Sequence, residues 1–108
     1  MRIRATAAMA TVLLCAASWG SAEPKTYTVY GVGAQSCGKW TAEKSELVRG
    51  FMNSWVLGYV TALGGVAGAR DTDSQAITAW VDNYCREHPL NRLDEAAATL
   101  VGELSKPK

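Results

Sequence analysis

The sequence predicts an all-α protein, a small four-helix orthogonal bundle stapled by one disulfide and carrying an extended N-terminal arm. Three observations carry that expectation. The stretch Gly50–Ala69 runs twenty residues without a charge, closed by Arg49 and Arg70. Two later segments repeat apolar residues at helical steps of three and four. Cys37 and Cys85 bracket the long stretch and are positioned to bridge its neighbours.

At 108 residues the chain has room for one domain. Residues 1–22 read as a secretory signal peptide: a basic start at Arg2 and Arg4, an apolar run from Ala5 to Ala17, and small residues at Gly20 and Ala22. Cleavage is expected after Ala22, giving a periplasmic or secreted protein. Cys15 follows Leu14 inside the apolar run, which argues against lipid attachment. Without Arg2 and Arg4 the chain keeps nine Lys and Arg against ten Asp and Glu, one net negative charge with the signs interspersed. That balance gives no electrostatic footprint for nucleic acid or an anionic membrane. Cleavage also removes Cys15. The remaining pair in an exported chain most simply forms one disulfide, Cys37–Cys85.

Residues 23–35 form the expected arm, with Tyr27 and Val29 alternating against Thr26, Thr28 and Tyr30. Gly31 and Gly33 lack the strand-to-helix context of a nucleotide-binding fingerprint. The helical domain then spans 36–104. A first helix is expected over Ser36–Lys44, with Ser36 as cap and Cys37, Trp40 and Thr41 on one face. The second should run from Ser45 to Leu63. Its main stripe is read as Val48, Phe51, Trp55, Tyr59 and Leu63, widened by Met52, Val56 and Val60. A second stripe of small residues, Gly50, Ser54, Gly58 and Ala62, would let another backbone approach closely.

The glycines at 64, 65 and 68 are read as ending that helix in a loop that has no phosphate-binding pattern. Thr72 with Gln75 has capping-box form, and Asp73 is itself a good cap. The third helix, Ser74–Glu87, should bury Ile77, Trp80, Val81, Tyr84 and Cys85 before Pro89 stops it. A fourth follows Leu90, with Asn91 as cap and Asp94 and Glu95 suiting the dipole of its first turn. Leu93, Ala96, Ala97, Leu100, Val101 and Leu104 make its buried face, and 105–108 form a polar tail.

Gly50–Ala69 is long enough to cross a bilayer, but five of its residues are glycine and Asn53, Ser54 and Thr61 are polar. A span there would also separate Cys37 from Cys85 and forbid their bridge. The core-helix reading is preferred.

The residues able to do chemistry are few. His88 is the only histidine, and at a helix end it serves the dipole better than a metal, with no second ligand in view. Asp71 and Asp73 precede a helix and read as caps rather than an acid–base pair. No serine sits in a nucleophile elbow. No cofactor, metal or catalytic group is expected. The i, i+4 pairs Trp55/Tyr59 and Trp80/Tyr84 read first as core, and second as a protein-binding surface.

Ser36-Cys37-x-x-Trp40, a long helix, then Cys85-Arg86-Glu87-His88-Pro89 and a last amphipathic helix resemble the acid-stress periplasmic chaperones of the HdeA type. That resemblance implies a cysteine pair tying the first helix to the third, and unfolded client proteins as partners. Leu57-Gly58-Tyr59-Val60, Tyr84, Glu87-His88-Pro89 and the alanine-rich final helix also look like the Rap/Tai-type immunity proteins. That second likeness implies one exported partner enzyme, a periplasmic amidase. Both imply a non-catalytic protein. A homodimer is expected if the small stripe on the second helix meets another copy of the chain.

Overall fold

A computed structural model describes residues 27–107. The expected signal peptide, its cleavage site, the first residues of the arm and Lys108 lie outside the described residues. Four helices follow a short 3₁₀ turn at Gly31–Ala34: α1 Cys37–Ala42, α2 Glu46–Ala67, α3 Ser74–Glu87 and α4 Leu93–Leu104. The described residues hold no strand, only one isolated bridge between Ser36 and Arg92. The all-α bundle and its disulfide are therefore as the sequence predicts.

Each helix start is set by a side chain that satisfies an otherwise orphaned amide. Ser36 accepts from Lys39 N, Ser45 from Val48 N and Asp73 from Ala76 N. Asp73, rather than the Thr72/Gln75 box, is the cap of α3. At α4 the N-cap position falls to Arg92, whose backbone N–H donates to the Glu95 carboxylate. Asn91 instead donates to the Tyr84 hydroxyl at 2.7 Å, so the expected cap is used as a brace.

The ends of α2 differ most from expectation. The helix continues through Gly64 and Gly65 and stops only at Gly68, whose φ of 70° is left-handed. Two glycines cost helix propensity but do not break the hydrogen-bond ladder, whereas a left-handed residue does. Beyond it, Arg70 N donates to Leu104 O at 2.8 Å and its guanidinium to Lys106 O at 2.8 Å. The tail through Lys106 is thereby held against the α2–α3 loop.

The core gathers Met52, Val56 and Val60 of α2, Ile77, Val81 and Cys85 of α3, and Leu93, Ala96, Ala97, Leu100 and Val101 of α4. Cys37 and Trp40 of α1 close it. The principal packing is α2 on α4, where Ala96 and Ala97 are small enough to let the helix axes approach. The buried stripe of α2 is centred on Met52, Val56 and Val60, and not on Val48, Phe51 and Trp55 as read from the sequence. Phe51 is 63% exposed and Leu47 69% exposed. From Gly50 to Ala67 α2 is uncharged on every side, so periodicity alone leaves the direction of its inward face open.

The Cys37–Cys85 disulfide joins α1 to α3 across 48 residues, with both sulfurs fully buried. Closing a loop of that length restricts the unfolded chain by about 4 kcal/mol. A polar knot backs it: Trp40 Nε1 donates to Asp82 Oδ1 at 2.6 Å, and Arg49 donates to Asp82 and to Trp40 O. The Arg49 guanidinium also lies 5.0 Å over the Trp40 ring, so three helices meet at one tryptophan. No described helix is long and apolar enough to cross a membrane.

Candidate functional site

The sequence singled out Trp55, Tyr59, Trp80 and Tyr84. The fold keeps each pair together but separates one pair from the other. Trp55 and Tyr59 stack with centroids 5.1 Å apart, and Trp80 and Tyr84 with centroids 5.3 Å apart. Among the described residues no hydrogen bond or ring contact joins the two pairs. All four side chains are half-buried.

Trp55 lies under the arm. A Cβ placed on Gly33 would fall within the Trp55 ring, and Gly31 adopts φ 79°, a conformation costly for any other residue. Trp55 Nε1 donates to Tyr30 O at 3.0 Å. The glycines that failed as a nucleotide motif are thus the means by which the backbone reaches an indole. Contact between α2 and α3 runs instead through Arg49 with Asp82 and through Thr78, which donates to Asn53 Oδ1 at 2.7 Å.

The arm is latched by a second group of side chains. Asp94, expected as a first-turn acid of α4, is 1% exposed. Arg92 grips it with two donors, Nε to Oδ1 at 2.8 Å and Nη2 to Oδ2 at 2.9 Å. The Tyr27 hydroxyl donates to Asp94 Oδ2 at 3.5 Å and lies 3.4 Å from the Tyr59 hydroxyl. Burial, then the Tyr27 hydrogen bond and the Tyr27 and Asp94 charges, push the Tyr59 phenol up to about 12, with Arg92 pulling the other way. Asp94 was legible only as a helix-start acid, because burial depends on where the arm lands.

At the other end, Tyr84 contacts His88 at 4.3 Å between ring centroids and accepts from Asn91. His88 caps α3 through its backbone, and its Nδ1 is buried without a hydrogen-bond partner in the structure. Asp71 is exposed while Asp73 caps, so the two do not converge on one site. Among the described residues no group of three potential metal ligands comes together.

A third surface overlaps the small stripe that the sequence marks on α2, and adds Leu47 and Phe51 to it. On α2, Leu47, Phe51, Ser54, Gly58, Thr61 and Gly65 recur at alternating steps of four and three, and all are exposed. At 100° per residue they lie opposite Met52, Val56 and Val60. Val66, 87% exposed, lies more than a quarter turn round from this face. Nothing lies within 4 Å of a Cβ built on Gly50, Gly58 or Gly65, so the small stripe has no partner within the described chain. Round the side of α2 from this face, a cavity of about 280 Å³ lies between Val60, Gly64, the loop residues Arg70, Asp71 and Thr72, and Ile77 and Leu104. The exposed Phe51 was the available signal, masked because its spacing also fits the buried stripe.

In comparison with known proteins, no family model matches this chain, and neither a curated protein nor a solved structure does so.

Proposed function

We propose that this chain is an exported, non-catalytic protein-binding module whose contact surface is the outer face of α2. The observation that carries the reading is the exposure of Leu47 and Phe51, one turn apart on the outer face of α2. Scattered apolar residues on a surface are ordinary, whereas two large ones side by side on one helix, with Val48 partly exposed next to them, offer a small apolar contact. The Cys37–Cys85 bridge supports an oxidising compartment outside the cytosol. The Asp73 carboxylate is occupied as the cap of α3, which supports a structural use of that group.

The specific form we favour is a stress chaperone of the HdeA type, with unfolded exported proteins as clients. Ten carboxylates lie in the chain after Ala22, and their protonation leaves nine lysines and arginines uncompensated. Self-repulsion then loosens the fold and widens the apolar surface. The decisive assay is aggregation of an acid-labile client near about pH 2.5, below the ordinary carboxylate range, with and without the exported protein. Suppressed light scattering is the expected result; scattering that the protein leaves unchanged removes the chaperone reading.

A second reading, a Rap/Tai-type immunity protein holding a periplasmic amidase, draws on the α3–α4 junction. There Trp80 stacks on Tyr84, Tyr84 meets the His88 ring at a 47° tilt, and Asn91 fixes the Tyr84 hydroxyl. A preordered surface of that sort suits one partner better than many. Retention of a single stoichiometric amidase, lost on Trp80→Ala, would favour it over the first.

A further inference from the structure

We propose that Trp55, Tyr59, Arg92 and Asp94 form a receiving site for a segment of another protein that carries tyrosine and glycine, and that the chain's own arm fills this site as a displaceable stand-in. The proposal rests on the reading of α2 as a contact surface and names the chemistry of what binds there.

The site reads main chain as much as side chain. Trp55 Nε1 donates to Tyr30 O at 3.0 Å, a bond that the carbonyl of any residue in that place accepts equally well. Beside it the indole leaves no room for a Cβ at Gly33, so glycine alone lets a backbone lie against the ring. At the other end is a socket for a phenol. The Asp94 carboxylate accepts from the Tyr27 hydroxyl, and the Tyr59 hydroxyl lies 3.4 Å from the same oxygen of Tyr27. Arg92 holds that carboxylate with two donors, and both residues belong to the start of α4, so the socket persists when the arm leaves.

The present occupant is held lightly. Tyr27 is 59% exposed and Tyr30 79%, so both rings stay largely in water. The Tyr27–Asp94 hydrogen bond, at 3.5 Å, is at the outer limit for such a contact. The arm also leaves the neighbouring apolar surface bare. Phe51 stands one turn before Trp55, where side chains four apart are neighbours, and Val48 lies beside it, yet both are exposed. A segment that covers Phe51 as well as Trp55 buries apolar area that the arm does not. That gain is what allows a foreign segment to compete with one already joined to the chain. The Leu47/Phe51 patch is then the open end of a longer aromatic stripe, and the arm covers the rest.

The test is calorimetric titration with a synthetic peptide of residues 27–35 as the probe. In the wild type the arm occupies the site, so the apparent affinity falls by the fraction of chains in which the site is open. Gly33→Ala puts a methyl into the Trp55 ring and should expel the arm, raising affinity for the peptide at least about tenfold. The same peptide carrying Gly33→Ala should not bind the opened chain. A second measurement needs no variant, and it decides if circular dichroism shows that Gly33→Ala loses the fold. Excess peptide should speed amide exchange at Val32 and Gln35 of the wild-type chain. Equal affinity for the two chains, binding to neither, or unaltered exchange overturns the proposal. If the peptide binds the opened chain while Phe51→Asp leaves client capture unchanged, the site stands and the outer face of α2 is not the contact surface. If the peptide fails while Phe51→Asp abolishes capture, the surface stands and the arm is a fixed part of the fold.

Discussion

Gly33 shows how much rests on a single missing methylene. Its backbone lies against Trp55 where a side chain would penetrate the ring. Gly33→Ala should therefore force the arm outward, costing about 1–3 kcal/mol as overpacking does and shifting Trp55 fluorescence to the red. Gly50→Ala is the contrast. The position is exposed, helical and free of neighbours, so a gain of about 0.5–1 kcal/mol in a denaturant midpoint is expected. Tyr59 sets a pH limit. Its folded value of about 12 exceeds its ordinary value of 10.0, so the fold favours the protonated phenol. The stability this gives is complete below pH 10.0 and is lost as pH rises through about 12. Urea midpoints measured upward from neutral pH should fall in that alkaline window, and should fall less for Tyr59→Phe. Neither Gly33 nor Asp94 could be assigned from the sequence, because each takes its role from the landing place of the arm, a contact between residues far apart in the chain.

Elements were more legible than their orientations. Ser36, Ser45 and Asp73 mark helix starts that any reading of local chemistry finds. Even at α4, where the cap passes from Asn91 to Arg92, the start shifts by one residue only. The inward face of α2 was harder. Its apolar arc is wide enough to contain two spacings, and burial against Ala96 and Ala97 of α4 selects Met52, Val56 and Val60. The end of α2 escaped for a related reason, since Gly64 and Gly65 look like a stop until the left-handed Gly68 is placed. The arm is an element held by few bonds. Removing the Asp94 carboxylate by Asp94→Ala should free both Arg92 and Tyr27, at a cost of about 1–3 kcal/mol for a lost charged hydrogen bond. Amide exchange at Val32 and Gln35 should rise well before exchange in α3.

For the whole molecule, one covalent bond and one helix divide the work. The Cys37–Cys85 bridge holds α1 on α3, while α2 carries core on one side and open apolar surface on the other. Reduction should lower stability by about 4 kcal/mol, close to the low end of what a domain this size has in total. A reduced sample that unfolds at the same denaturant concentration would contradict that division. The surface side of α2 carries the functional reading, and a photoreactive amino acid in place of Phe51 tests it most directly. Irradiation of the chain in periplasmic extract should yield cross-links to protein, whether clients or a second copy, while the same group in place of Gln75 on α3 should yield far fewer. Equal yields from the two positions would contradict the account.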